Sequence, residues 1–208
     1  MWFTLNQHSY KRFGLSAWYS HRHFKSDGGS GVNSPQSSYS DQGESARADW
    51  LSPHNAGVVG NLVLPFQFEL AEQFNVASGR PYNITTGTDN NGDGNFNDRP
   101  AFASTPGEGV YSTRFGLLTI NAINGNVPRN LGTMPATLHF DMNLHRSFAL
   151  NPNDKDHPRS LDFNARSANL LNHTNVTVVN TVLPSGVLGQ PITAEPGRRI
   201  ELGARFSF

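Results

Sequence analysis

The segment Arg198-Arg-Ile-Glu-Leu-Gly-Ala-Arg-Phe-Ser-Phe208 decides the fold. Read as a strand, it places Ile200, Leu202, Ala204, Phe206 and Phe208 on one face. Arg199, Glu201, Gly203, Arg205 and Ser207 fall on the other, because side chains alternate with period two. One face suits lipid and the other a wet lumen.

The pattern recurs upstream. In Thr137–Phe148, Leu138, Phe140, Met142 and Leu144 oppose His139, Asp141, Asn143 and His145. In Ser160–Leu171, Leu161, Phe163 and Ala165 oppose Asp162, Asn164 and Arg166. The polar, proline-flanked stretch Asn151–Pro158 lies between them as a turn. Lys11–His23 places Phe13, Leu15, Ala17 and Tyr19 on one face. Val58, Gly60, Leu62 and Leu64 lead into a turn at Pro65-Phe66; Phe68, Leu70, Phe74 and Val76 continue beyond it, with Glu72 interrupting the apolar face. Met1–Asn6 reads as the end of another strand.

About seven strands result, each near the ten-residue length of a barrel strand. Their connections alternate. Those near His8–Tyr10, Pro65-Phe66 and Asn151–Pro158 are short; those spanning about 25–52, 78–136 and 172–197 are long. With Phe208 on the periplasmic side, every short turn falls there and every long loop falls outside, the asymmetry of outer-membrane barrels. A soluble antiparallel sandwich also alternates polarity, but loops this long are uncommon in compact soluble domains.

Composition agrees with strands and polar loops. Of 208 residues, 36% are hydrophobic, yet 11% are aromatic and Phe alone counts 14, a mix that favours strands over helices. The formal net charge is zero, which gives no electrostatic case for nucleic acid. Cysteine is absent, so disulfides and thiolate metal sites are excluded. No stretch approaches the ~20 apolar residues of a membrane helix. Residues 1–24 hold no apolar run of the ~7 or more residues that a signal peptide needs.

Three segments carry a family resemblance: Ser78-Gly-Arg-Pro-Tyr-Asn-Ile-Thr-Thr-Gly87 with the following Asp89–Pro100, then Asn169-Leu-Leu-Asn-His-Thr-Asn175, then the ending Gly197–Phe208. Together they resemble the last third of TonB-dependent outer-membrane receptors, in particular the Oar-like receptors with a carboxypeptidase-regulatory-like N-terminal domain. The resemblance implies an all-β antiparallel meander, 1–208, forming the last strands of a barrel of about 22 strands. It also implies location in the bacterial outer membrane and energised uptake of a bulky nutrient of the siderophore, cobalamin or glycan class. Ile200, Leu202, Phe206 and Phe208 match the terminal pattern that the barrel-assembly machinery reads in this family. The implied partners are outer-membrane lipid, that machinery, a transported ligand, and TonB through a plug and TonB box that this sequence lacks. A fragment is therefore expected, since about seven strands cannot close a barrel of that size and unpaired backbone is not tolerated in lipid. Two other classes stand beside this one: a surface-exposed structural or adhesive barrel without transport, and a soluble calcium-binding β-domain.

The sharpest chemical motif is Asp89-Asn-Asn-Gly-Asp-Gly-Asn-Phe-Asn-Asp98. Asp89, Asn91 and Asp93 occupy positions 1, 3 and 5 of a calcium loop, and Gly94 sits at the sharp turn of position 6. Asn95 offers a backbone carbonyl and Asn97 stands at position 9. Position 12 is Pro100 where an EF-hand has its bidentate Glu, leaving Asp98 as the substitute. The competing reading is a turn whose side chains cap its own backbone.

His21 and His23, two apart on a strand, fit either a metal pair lacking a third ligand or a solvated strand end. His139, Asp141 and His145 are expected on the lumen wall. Trp2, Trp18, Tyr19 and Tyr82 are candidates for interfacial aromatic girdles, or for ordinary packing. No nucleophile elbow, Walker loop or H-E-x-x-H occurs, and no enzyme activity is expected. The Gly28–Gly31 run is loop composition.

Overall fold

The computed structural model describes residues 1–9, 12–28, 34–153 and 159–208. Seven strands form one antiparallel sheet in chain order. They are β1 (Trp2–Ser9), β2 (Phe13–His21), β3 (His54–Val63), β4 (Glu69–Ala77), β5 (Thr137–Ala149), β6 (Ser160–Ala168) and β7 (Arg199–Ser207). The expected meander is present. The fold is that of a partial barrel: β1 and β7 are its two outer strands and do not pair with each other. Of the expected short turns, Tyr10 and 154–158 lie outside the described residues, as do Lys11 and most of the Gly28–Gly31 run.

The register explains how the alternation becomes a surface. Leu202 stands opposite Ala165, Ala165 opposite Leu144, Leu144 opposite Leu70, Leu70 opposite Leu62, and Leu62 opposite Phe13. Directly opposed residues share a face, so one apolar row crosses six strands. The neighbouring row runs Ile200, Ser167, Met142, Glu72, Gly60, Leu15 and Gln7. This face stays open to its surroundings: Leu202 is 82% exposed, and Phe163, Phe206 and Phe13 are exposed too. A soluble domain covers an apolar sheet face; this one presents it. The opposite face carries Asn143, His145, Asp162, Asn164 and Arg166 in the same registers.

Boundaries shift from the expectation at polar strand ends. β3 begins at His54, four residues before Val58. β6 stops at Ala168 rather than Leu171, because Asn169 adopts φ 50° and Asn172 φ 52°, left-handed values that end a strand and that Asn tolerates. The turn from β3 to β4 is a short 3₁₀ segment, Pro65–Gln67, with Phe66 and Gln67 at φ 60° and 57°.

The three long connections are not independent loops. The second and third share a hydrophobic core of Tyr82, Ile84, Leu118, Val127, Val176, Val179 and Leu183 at the end of the sheet where β4 meets β5 and β6 meets β7, and the first is hydrogen-bonded onto the second. Short strand pairs stiffen this cap: Lys25–Ser26 with Ala46–Arg47, Pro81–Tyr82 with Gly132–Thr133, Val176–Val179 with Pro191–Ala194, and a three-stranded set of Ala101–Phe102, Val110–Thr113 and Gly116–Thr119. The buried core of this chain therefore lies in its connections and not in its sheet.

Candidate functional site

The cap is the candidate site, and its geometry begins with three polar side chains of the first long connection. Glu44 lies under the cap with its side chain 1% exposed. Its Oε1 is 2.6 Å from Nη1 of Arg99, whose side chain is 3% exposed, and its Oε2 is 3.8 Å from Nε of Arg129. Arg129 Nη1 donates to the Glu44 carbonyl at 3.0 Å, and Arg99 Nε donates to the Val127 carbonyl at 3.1 Å. Buried charges persist only when paired and hydrogen-bonded in this way.

Gln36 and Arg47 complete the attachment. Gln36 Nε2 donates to the Gly125 carbonyl, and its Oε1 accepts the Arg99 N–H. Arg47 Nη2 reaches the carbonyls of Asn130, Leu131 and Gly132, and Asn130 Nδ2 returns a bond to the Arg47 carbonyl at 2.7 Å. The third connection joins through its backbone: Thr85 N donates to the Thr181 carbonyl and Leu183 N to that of Thr85. The sequence gives no hint of these ties. Glu44, Arg47 and Arg129 are single charges in polar loops, and each contact spans tens of residues of chain.

The Asp89–Asp98 loop is closed by its own side chains. Asp89 Oδ1 accepts the N–H groups of Gly92 and Asp93, and Oδ2 that of Gly94. Asp93 accepts from Asn95 N and, across to the first connection, from Ser38 N at 2.7 Å. Asp98, fully buried, accepts from Asn90 N and Asn91 N on one oxygen and from Asn91 Nδ2 on the other. Gly92 (φ 73°) and Gly94 (φ 85°) supply the left-handed turns this winding requires. The Asn95 N–H holds the Asp93 carboxyl below the ordinary carboxylate range. Burial pushes that of Asp98 up, against the pull of the Asn90 and Asn91 N–H groups. Asn95 and Asn97 turn their amides to Ser38 and to the carbonyls of Ser34 and Pro35. Among the described residues no group of three or more His, Asp or Glu is arranged to hold a metal.

Two cavities flank the Arg99–Glu44–Arg129 cluster. One, of about 690 Å³, has Arg99, Gln36 and Tyr39 in its wall. The other, of about 640 Å³, has Arg129, Trp50 and Phe96. Each cavity therefore has in its wall one of the two arginines that Glu44 binds.

The remaining expected residues divide. His139, Asp141 and His145 stand on the polar face, opposite Asn75, Gln73 and Glu69. His139 Nε2 lies 2.7 Å from Glu195, and Asp141 accepts the Asn169 N–H. Tyr19 sits on the apolar face at the cap end of β2 and meets His54 Nδ1 at 2.8 Å. The girdle reading fails for three aromatics. Trp2 and Trp18 are on the polar face, where Trp18 overlies Gly57 and donates to Asn55, and Tyr82 is in the cap core. His21 lies against His54 with the rings tilted and their centroids 4.5 Å apart, whereas His23 lies beyond the end of β2, so the two do not share a strand face. Ile200, Leu202, Phe206 and Phe208 are all exposed, and the rings of the last two stack at 5.7 Å.

A family model described as outer membrane beta barrel domain matches residues 1–201. Neither a curated protein nor a solved structure gives a match.

Proposed function

This chain belongs to the outer-membrane β-barrel domain family and resides in the bacterial outer membrane; from that premise we propose that it is part of a receptor for TonB-dependent uptake of a bulky nutrient. The apolar face of β1–β7 meets lipid, and the polar face lines the lumen. The observation that carries the proposal is the cap. The second and third long connections share one buried core, the first is fastened onto the second by buried ion pairs and hydrogen bonds, and together they line two cavities at the end of the wall. Recognition is placed on loops that a rigid scaffold holds, and a barrel with no ligand to capture has little need of loops packed to this degree.

The receptor motifs fall at structurally important places in the cap. Tyr82 and Ile84, from the first resembling segment, form the cap core; Asp98 closes the acidic loop; Asn169 and Asn175 tie the third connection back to Asp141 and Leu138. The exposed terminal residues Phe206 and Phe208 suit recognition by the barrel-assembly machinery.

The test is physical association with TonB. The intact protein, extracted from outer membranes in detergent, is expected to bind the periplasmic domain of TonB, and cells are expected to lose uptake when the proton gradient is collapsed. Failure of both measurements would leave a structural or adhesive barrel as the better reading.

A further inference from the structure

The cavity walled by Trp50, Arg80, Asn83, Phe96, Asn97 and Arg129 has the chemistry of a ligand site that no wall function requires. Trp50 is 47% exposed and Phe96 70% exposed, so two aromatic surfaces are left uncovered in one concavity. Single exposed aromatics are ordinary; two in a cavity of this size, beside convergent polar groups, are the features of a binding pocket.

The polar groups are incompletely paired. Arg129 is 5% exposed, yet its Nη2 has no hydrogen-bond partner among the described residues. Asn97 Oδ1 is likewise buried without a partner. Asn83 uses its Oδ1 to accept the Asn130 N–H, which leaves its amide N–H groups for another acceptor. The side chain of Arg80 makes no hydrogen bond to the described residues. Orphaned polar groups in native structures call for an explanation, and ligand binding is one.

Charge narrows the class. Arg80 and Arg129 stand in the wall against one carboxylate, Asp49. Among the side chains that line the cavity, guanidinium groups thus outnumber carboxylates two to one. Guanidinium groups recognise carboxylates through fixed donor geometry. A ligand that combines flat apolar faces, many hydroxyls and a carboxylate matches this wall on all three counts.

We propose that this cavity binds an acidic oligosaccharide, a chain of uronic acid units, with Trp50 and Phe96 against the sugar rings and Arg80 and Arg129 toward the carboxylates. The assignment rests on the receptor reading above and names its ligand class. It also gives the acidic loop a purpose. Asp89, Asp93 and Asp98 wind the chain so that Phe96 projects and Asn97 is anchored through Ser34 and Pro35.

The experiment is calorimetry on the intact protein extracted in detergent, with hexamers of galacturonate and mannuronate and with the neutral hexamer of galactose. At least one uronate hexamer is expected to bind tenfold or more tightly than the neutral one. Trp50→Ala and Phe96→Ala are each expected to weaken it about tenfold, and Arg80→Gln to erase the preference for charge. Both aromatics are exposed, so these variants fold; Phe102→Ala, exposed but outside the cavity, serves as the unchanged control. No binding of either uronate, equal binding of the neutral hexamer, or binding indifferent to both aromatic variants would overturn the assignment. Uronate binding without energy-dependent uptake would keep the site and remove the transport reading. Energy-dependent uptake that Trp50→Ala leaves untouched would keep transport and remove the site.

Discussion

Glu44 and Arg99 meet at 2.6 Å with their side chains 1% and 3% exposed, and this contact fastens the first long connection to the second. Breaking one partner of a buried pair leaves an uncompensated charge and costs roughly 3–5 kcal/mol. Glu44→Ala is expected to lose about that much, confined to the cap. Limited proteolysis would show new cleavage in 25–52 and 78–136 while far-ultraviolet circular dichroism of the wall is retained. A cap that stays resistant to protease would mean that Glu44 does not hold it.

Leu183 is 2% exposed in the cap core and enters it from the third connection. Leu183→Ala removes a buried side chain that joins two connections, so it is expected to destabilise the cap by about 2–5 kcal/mol. Hydrogen exchange at Thr85 N, which pairs with Thr181, is the measurement. Unchanged protection there would disprove the shared core.

Asp98, itself fully buried, answers two partly buried N–H groups. Asp98→Ala leaves both unsatisfied and is expected to cost about 1–3 kcal/mol. The pH dependence has a defined sign. Burial raises the Asp98 pKa in the fold, so its contribution is full below the ordinary carboxylate value and declines as pH rises through the raised one. The melting-temperature difference between the protein and its Asp98→Asn variant is therefore expected to favour the parent most on the acid side, and to shrink toward neutrality. The opposite trend would mean that the N–H groups outweigh burial.

The calcium spacing of Asp89, Asn91, Asp93, Asn95, Asn97 and Asp98 meets a competitor in the backbone. Every carboxylate oxygen of the three aspartates already accepts a hydrogen bond. A cation would have to draw these oxygens from donors that need them. Calorimetry of the intact protein with millimolar Ca²⁺ is expected to show no saturable heat, and a saturable isotherm lost in Asp89→Asn would establish a calcium site instead.

Glu72 is the one carboxylate in the apolar row, between Gly60 and Met142. Side-chain polarity toward lipid is unfavourable, less for Glu than for a cation. Glu72→Leu is expected to stabilise the protein in lipid vesicles by about 1 kcal/mol, read from denaturant unfolding. A loss of stability would show that Glu72 serves a partner in the membrane.

The wall was legible in the sequence and the cap was not, for physical reasons. A strand with one face in lipid must alternate, and Ile200, Leu202, Ala204 and Phe206 display that without reference to any distant residue. Where the alternating residues are small or polar the pattern weakens: His54-Asn-Ala-Gly57 opens β3 with no large apolar side chain, so the alternation shows only from Val58 although the strand starts at His54. The cap depends on pairings such as Arg47 with Asn130, 83 residues apart. Nothing local marks such a pair, because either residue alone suits a solvated loop. The loop of Asp89–Asp98 shows both sides: its spacing was visible, but the backbone N–H groups that its oxygens meet could be seen only in the fold.

The wall and the cap take opposite solvents as the complement of their apolar groups. Ile84 and Leu118 are dry because protein surrounds them, whereas Leu62, Phe163 and Leu202 are dry only while a bilayer lies against them. Two ways of dismantling the molecule follow. Stripping lipid removes half of what the wall is made of and leaves the cap its interior. A denaturant acting from the aqueous side reaches the cap first while lipid still shields the wall. The protein is thus a composite, with one part that carries its oil within it and one that borrows it from the membrane.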